Sequence, residues 1–279
     1  MKQKTEKTRF TLLDLADFDA YKAEHVTLTE EEKAEDEKKR IVWPIPCYCV
    51  LVQHPVLGNV LFDTGIDDEY KERWPKNLLQ EYPVKRFCRL ETRLSELGLT
   101  PGDIDQIILS HMHFDHAGNM RLFCGTKAGK DVIVQEEEAR HGFFLSNLYD
   151  CSEVKYRYDG YVRHEFNGLP GISFKPVKGD VKLADDLELI HLPGHTPGTM
   201  GLLVRTEKFG TAIFPSDAVY NAKNYGPPAV LPGMCACPGE FGGSIEKCRK
   251  IAESEHGTVF FSHDVREYQR YRKAPEWYE

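Results

Sequence analysis

Four side chains able to ligate metal stand within the six residues His111-Met112-His113-Phe114-Asp115-His116, directly after the apolar stretch 104–109. Side chains alternate along an extended backbone, so His111 and His113 share one side, and a turn after them brings Asp115 and His116 back toward a second point. One short loop can therefore hold two neighbouring metal ions. The loop constrains the fold, because it has to lie where a strand ends at the edge of a sheet and face further ligands from other strand ends. The chain supplies these in settings of the same kind: His195, Asp217 and His263.

His195 lies in His191-Leu192-Pro193-Gly194-His195-Thr196-Pro197-Gly198, where prolines and glycines fix a tight loop around one imidazole. His191 precedes that loop and, by alternation, faces away from the side of His195; it is read as structural. Asp217, in Phe214-Pro215-Ser216-Asp217, and His263, in Phe260-Phe261-Ser262-His263-Asp264, both close apolar strands. Five imidazoles and two carboxylates make the mixed nitrogen and oxygen set that zinc prefers and that iron, manganese or cobalt accept. Two ions sharing Asp217 lower the pKa of a water between them toward neutrality, which supplies a nucleophile without a Ser or Cys. The reaction implied is hydrolysis.

A chain of 279 residues with 41% hydrophobic and 29% charged residues can bury one large core. Its formal net charge of -8 argues against nucleic acid as a partner, which calls for clustered Lys and Arg. The first nine residues include five charged ones, and Asp14, Asp17 and Asp19 interrupt the apolar residues after them, so no signal peptide is expected. Apolar runs such as 41–52 are far shorter than a bilayer span and contain Pro44 and Pro46, so no membrane helix is expected either. The eight cysteines are scattered, which predicts reduced thiols and a cytoplasmic protein; Cys47 and Cys49 read as strand residues, Cys235 and Cys237 as loop residues.

Residues 21–40 are rich in Glu and Lys, with Thr29 and Glu32 placed as a capping box for a short exposed helix. Strands are predicted at 41–53 and 59–62, joined by a turn at Pro55 and Gly58, then at 104–109, 131–135, 172–177, 187–192, 200–204, 211–214 and 258–261. Helices are predicted at 91–97, stopped by Gly98, at 136–144 and at 244–255. The segment 67–88 carries Tyr70, Trp74, Tyr82 and Phe87 and reads either as short helices covering a site or as aromatic packing on the core; Trp74 is taken as a substrate contact. Residues 1–40 are expected to be an N-terminal extension of the same domain, and 41–279 the metallo-hydrolase domain.

Together these motifs resemble the metallo-β-lactamase superfamily, and within it the N-acyl homoserine lactonases, from about Ile41 onward. The resemblance rests on His111 to Gly118, the loop Pro193 to Gly198, Asp217-Ala218-Val219-Tyr220, Phe260 to Asp264, and Pro46-Cys47-Tyr48 before Asp63-Thr64-Gly65. It implies an α/β fold, a four-layered αβ/βα sandwich with the site at the sheet edges. It implies one divalent ion on His111, His113 and His195, another on Asp115, His116 and His263, and Asp217 bridging, with Asp63 orienting the ligands from behind. Tyr220 would donate a hydrogen bond to a substrate carbonyl and Asp115 would pass a proton to the leaving alkoxide. The substrate implied is a small lactone, and homodimers are common in the family.

A thioester hydrolase of the glyoxalase II type shares the same ligands, but only 16 residues follow His263 (279 − 263), against the C-terminal helical region expected of that group. A β-lactamase lacks an aspartate where Asp217 stands, and a nuclease of the superfamily would carry an inserted domain and a basic surface. A metal-dependent sensor without catalysis would not need the complete ligand set.

Overall fold

Apolar residues on both faces of Arg9–Tyr21 build a 13-residue strand, β1, that the sequence pattern concealed behind its aspartates. The computed structural model of the chain describes residues 5–148, 157–158 and 160–279. β1 pairs antiparallel with β2 (Val42–His54) from Arg9↔Gln53 to Tyr21↔Val42, with a register shift between Asp14 and Ala16. The strands β3 (Gly58–Phe62), β4 (Val84–Phe87), β5 (Gln106–Ile108) and β6 (Val132–Gln135) come next in the chain. A short antiparallel pair, β7 (Arg157–Tyr158) and β8 (Tyr161–Val162), stands apart. Last come β9 (Phe174–Val177), β10 (Val181–Ala184), β11 (Leu187–His191), β12 (Met200–Thr206), β13 (Gly210–Phe214) and β14 (Thr258–Val259). One sheet has the order β4-β1-β2-β3-β5-β6-β9 and the other β10-β11-β12-β13-β14.

Alternation along these strands sorts the core into layers. Phe10 and Leu12 of β1, Val50 and Val52 of β2, and Val60 and Phe62 of β3 meet Leu187, Leu189, Met200, Leu202 and Phe214 between the two sheets. The opposite face of the first sheet, with Leu13, Leu51 and Leu61, takes Leu90 and Leu94 of the helix Leu90–Glu96. The opposite face of the second, with Ile190, Leu203 and Ile213, takes Ile245 and Cys248 of the helix Pro238–Ser254. Helix, sheet, sheet and helix give the four-layered αβ/βα sandwich. Strand ends on both sheets then converge on one edge, where the ligand-bearing loops lie.

Several predicted elements differ in extent. The helix predicted at 244 begins at Pro238, whose fixed φ suits a first helical turn. The strand predicted at 104–109 spans only Gln106–Ile108, and that at 258–261 only Thr258–Val259, because the chain leaves the sheet soon after each to form the site. Thr29 and Glu32 form the capping box of the helix Glu30–Asp36, which buries none of its residues. Residues just before it are different: His25, Val26 and Leu28 are buried. Cys47 and Cys49 are buried in β2, and the described cysteines are free thiols.

The segment 67–88 forms the short helices Tyr70–Arg73 and Lys76–Glu81 and the strand β4. Trp74 is fully buried, edge-on to Phe114 with centroids 5.0 Å apart, and its indole N–H donates to Glu165 at 2.8 Å. This corrects the expectation that Trp74 touches substrate: a large aromatic beside Phe114 removes more apolar area from water inside the core than at a wall.

Candidate metal centre

All seven residues singled out in the sequence come together, buried, in two adjoining groups. His111, His113 and His195 form one, and Asp115, His116, Asp217 and His263 the other, with the facing ligand atoms of each group within 4.8 Å of one another. In the first, His195 Nε2 stands 3.1 Å from His111 Nε2 and 2.9 Å from His113 Nδ1. A neutral imidazole has one donor and one acceptor nitrogen, so three nitrogens aimed at one point cannot all satisfy each other. In the second, Asp217 Oδ1 and His116 Nε2 are buried without a hydrogen-bond partner, 3.3 Å apart, and Asp217 Oδ1 lies 3.2 Å from His263 Nε2. Convergent, buried and unsatisfied nitrogen and oxygen atoms are what a divalent cation would complete, so the residues fit a pair of divalent metal ions.

The nitrogens of His116, His111 and His263 turned away from the cluster are held in place. His116 Nδ1 bonds Asp63 at 2.8 Å, His111 Nδ1 lies 3.0 Å from Ser110 Oγ, and His263 Nδ1 donates to Pro46 O at 2.9 Å. These contacts fix ring orientation and tautomer so that the other nitrogen faces the centre. Asp63 also accepts the Ser110 backbone N–H at 2.7 Å and its hydroxyl at 2.8 Å. Its φ of 65° is backbone strain held by these bonds, and Ser216, at φ 51°, donates its hydroxyl to Ser110 Oγ at 2.8 Å.

Electrostatics divide the groups. Burial and neighbouring imidazoles push His111 and His113 well below the usual histidine pKa. For Asp217 burial works upward, but His263 and His116 outweigh it and hold the carboxylate well below its usual range. His116 is raised against its burial by Asp217, Asp115 and Asp63. The second group pairs carboxylates with imidazoles that they favour in the charged form, and the first is a neutral nest of imidazoles.

Sequence reading missed the part that ties the loops together. Glu138, fully buried, accepts from Met112 N at 2.9 Å, from the Tyr161 hydroxyl at 2.9 Å and from the Thr196 hydroxyl. One carboxylate thus links the loop of His111 and His113 to the loop of His195. In sequence it is the third glutamate of a helix N-terminal run, which reads as an ordinary solvated turn. His191 is structural as expected, its Nε2 bonding Pro197 O at 3.0 Å.

Gly160 is a second missed feature. A Cβ there would lie 2.5 Å from the His113 ring, and its carbonyl accepts Phe114 N at 2.9 Å. Gly160→Ala is expected to displace His113 and cut the affinity of its group for metal by about 10–100-fold, read by titration with zinc against a competing chelator. Unchanged affinity would mean that the loop yields without moving the imidazole.

Tyr220 enters the site from beyond Asp217, its hydroxyl 2.7 Å from His195 Nδ1. Over the cluster the structure leaves a cavity of about 20 Å³, walled by Phe18, Glu24, His25, Ile45, Tyr82 and Met234. This is room for a single water, so a larger ligand enters by displacing wall side chains.

Residues 42–263 match the family model described as Metallo-beta-lactamase superfamily. Similar proteins include an N-acyl homoserine lactonase of Bacillus cereus, 28% identical over 240 residues that cover 84% of this chain and 87% of the relative. Another is N-acyl homoserine lactonase AiiB of Agrobacterium fabrum, 29% identical over 260 residues, 90% of each chain. Among solved structures, an N-acyl homoserine lactone hydrolase with the product N-hexanoyl-L-homoserine at its catalytic metal center superposes with a TM-score of 0.78. That likeness covers 97% of this chain and 98% of the other at 23% identity, and speaks for the fold. With a match that runs from β2 through every ligand-bearing loop to His263, the chain belongs to the metallo-beta-lactamase superfamily.

Proposed function

We propose that this protein is a dinuclear-metal hydrolase that opens lactone rings, with N-acyl homoserine lactones as the first substrate class. The observation that carries the reading is the seven-residue cluster with the Tyr220 hydroxyl beside it. The lactonase relatives, which align over 84–90% of the chain, support it.

On this reading His111, His113 and His195 hold one divalent ion, Asp115, His116 and His263 the other, and Asp217 stands between. Zinc is the metal we propose, since imidazole and carboxylate donors suit it. When bound, such ions polarise an ester carbonyl and make water a nucleophile at neutral pH. The chain's own groups do the rest. Asp63 and Ser110 hold the imidazoles, and Tyr220 offers its O–H to the carbonyl oxygen as negative charge grows there. Asp115, 3.5 Å from both His116 and His263, would take the proton of the attacking water and return it to the ring oxygen as the C–O bond breaks. Quorum quenching would be the consequence of such turnover, and a cytoplasmic setting is consistent with the free thiols. Among the described residues no helix is long and apolar enough to cross a membrane. Residues 1–40 belong to the same folding unit in this proposal, and a homodimer, to be measured by light scattering, belongs to it too.

The deciding experiment is product formation by zinc-loaded protein on short- and long-chain acyl homoserine lactones, γ-butyrolactone and a glutathione thioester. Turnover of the lactones supports the reading; turnover of the thioester alone replaces it with a thioesterase. Tyr220→Phe is expected to lower kcat on the lactone by about 10–100-fold with metal content unchanged. A variant as fast as the wild type would remove the hydroxyl from the reaction.

A further inference from the structure

The turn Lys22–His25, between β1 and the exposed helix Glu30–Asp36, delivers a second imidazole system to the site. His25 lines the cavity over the cluster. It is 6% exposed, and both ring nitrogens are buried with no hydrogen-bond partner. Its ring stands edge-on to Tyr220 with centroids 4.8 Å apart, and 5.6 Å from the ring of His263.

This placement is enforced by the backbone. Asn224 Nδ2 donates to His25 O at 2.9 Å, and Met234 N donates to Glu24 O at 2.9 Å, so the turn is laced to the loops beyond Tyr220. Burying an imidazole with nothing to bond costs stability, and a Leu or Met would fill the same space without that cost. The same wall carries another polar pair, the Tyr82 hydroxyl donating to Glu24 at 3.1 Å. An apolar ligand arm alone would not call for these groups.

We propose that His25 recognises a polar group on the ring carbon next to the scissile carbonyl, an amide above all, and so sets substrate preference. The proposal rests on the lactone-opening reading above. With the carbonyl directed at Tyr220 and the cluster, a substituent one bond away projects toward the neighbouring ring, which is His25. A neutral imidazole offers one donor and one acceptor, and a secondary amide offers the same two functions. His25 thus gains on binding the hydrogen bonds that it lacks in the free protein.

The test compares the wild type with His25→Leu and His25→Gln, zinc-loaded, on N-hexanoyl-L-homoserine lactone and on γ-decalactone, which has no polar group at that carbon. For the Leu variant, KM for the amide-bearing lactone is expected to rise about tenfold, with γ-decalactone within about twofold and kcat little changed. Gln, which keeps a donor and an acceptor, should recover most of the loss. Two further measurements separate recognition from a structural role: calorimetric affinity for ring-opened N-hexanoyl-L-homoserine should fall about tenfold in the Leu variant, while its melting temperature is unchanged or higher. Equal losses on both lactones, no loss on either, or a fall in bound zinc would overturn the proposal. If the wild type opens neither lactone, the proposed function fails, and the calorimetry still decides on His25: equal affinity in wild type and Leu variant overturns it.

Discussion

Replacing Asp217 with Asn is expected to reduce hydrolysis by about 10³-fold or more and to leave roughly one tightly bound metal ion in place of two. The reason lies in its position. Oδ1 stands 3.2 Å from His263 and 3.3 Å from His116, while Oδ2 stands 3.6 Å from His195 and 3.7 Å from His111. This one carboxylate faces both groups, and it is the leading attraction that raises His116 and His263 above the ordinary histidine pKa against their burial. Asn is nearly isosteric, but it removes the negative charge and turns an N–H₂ toward buried imidazoles. Metal analysis after gel filtration, together with turnover, checks the prediction. Two full equivalents of metal with wild-type activity would remove Asp217 from its bridging place.

Glu138→Gln should have the largest effect on stability. Every bond to this carboxylate comes from a donor: the Met112 N–H, the Tyr161 hydroxyl and the Thr196 hydroxyl. Gln has one acceptor oxygen, and its N–H₂ would face at least one of those donors in a site closed to water. Leaving a buried donor unpaired costs about 1–3 kcal/mol, which in a chain of this size lowers the melting temperature by roughly 2–5 °C. Burial raises the carboxyl above its usual range, and the hydrogen bonds work against that rise. A raised carboxyl pKa means that the folded state holds the proton more tightly than the unfolded one. Its contribution to stability is complete below the unfolded pKa and is lost as pH rises through the folded one. The deficit of the Gln variant, measured by thermal melts, should therefore be greater in mild acid, where the wild type keeps that contribution, than at alkaline pH. A flat or inverted pH trend would show that geometry, not charge, sets the role of Glu138.

Much of the site was legible because its residue types are rare in combination. Three histidines and an aspartate in six positions, His195 in a loop of prolines and glycines, and Asp217 and His263 each closing an apolar strand need no alignment to stand out. What escaped has a physical reason in each case. β1 was hidden because both its faces are buried while Asp14, Asp17 and Asp19 find cations at its edge: Arg86 holds Asp14 and Asp17, and Lys85 meets Asp19. Trp74 looked like a site wall, yet the indole finds its polar partner in Glu165 and its apolar one in Phe114. Glu138 and His25 carry no pattern at all; their roles come from tertiary closure, which puts a charged helix start and an N-terminal turn against loops far along the chain.

That long-range closure extends to the two flanks of the fold. Phe10 and Tyr278 exchange both backbone hydrogen bonds, at 3.0 and 2.8 Å, and Ala274 N donates to Leu12 O at 2.9 Å. The free half of β1 is thereby sealed by residues synthesised more than two hundred and fifty positions later, Ala274 against Leu12 (274 − 12). During translation that strand edge has to wait, exposed, until residues 274–278 have left the ribosome, and its pairing cannot be rehearsed by any shorter nascent fragment.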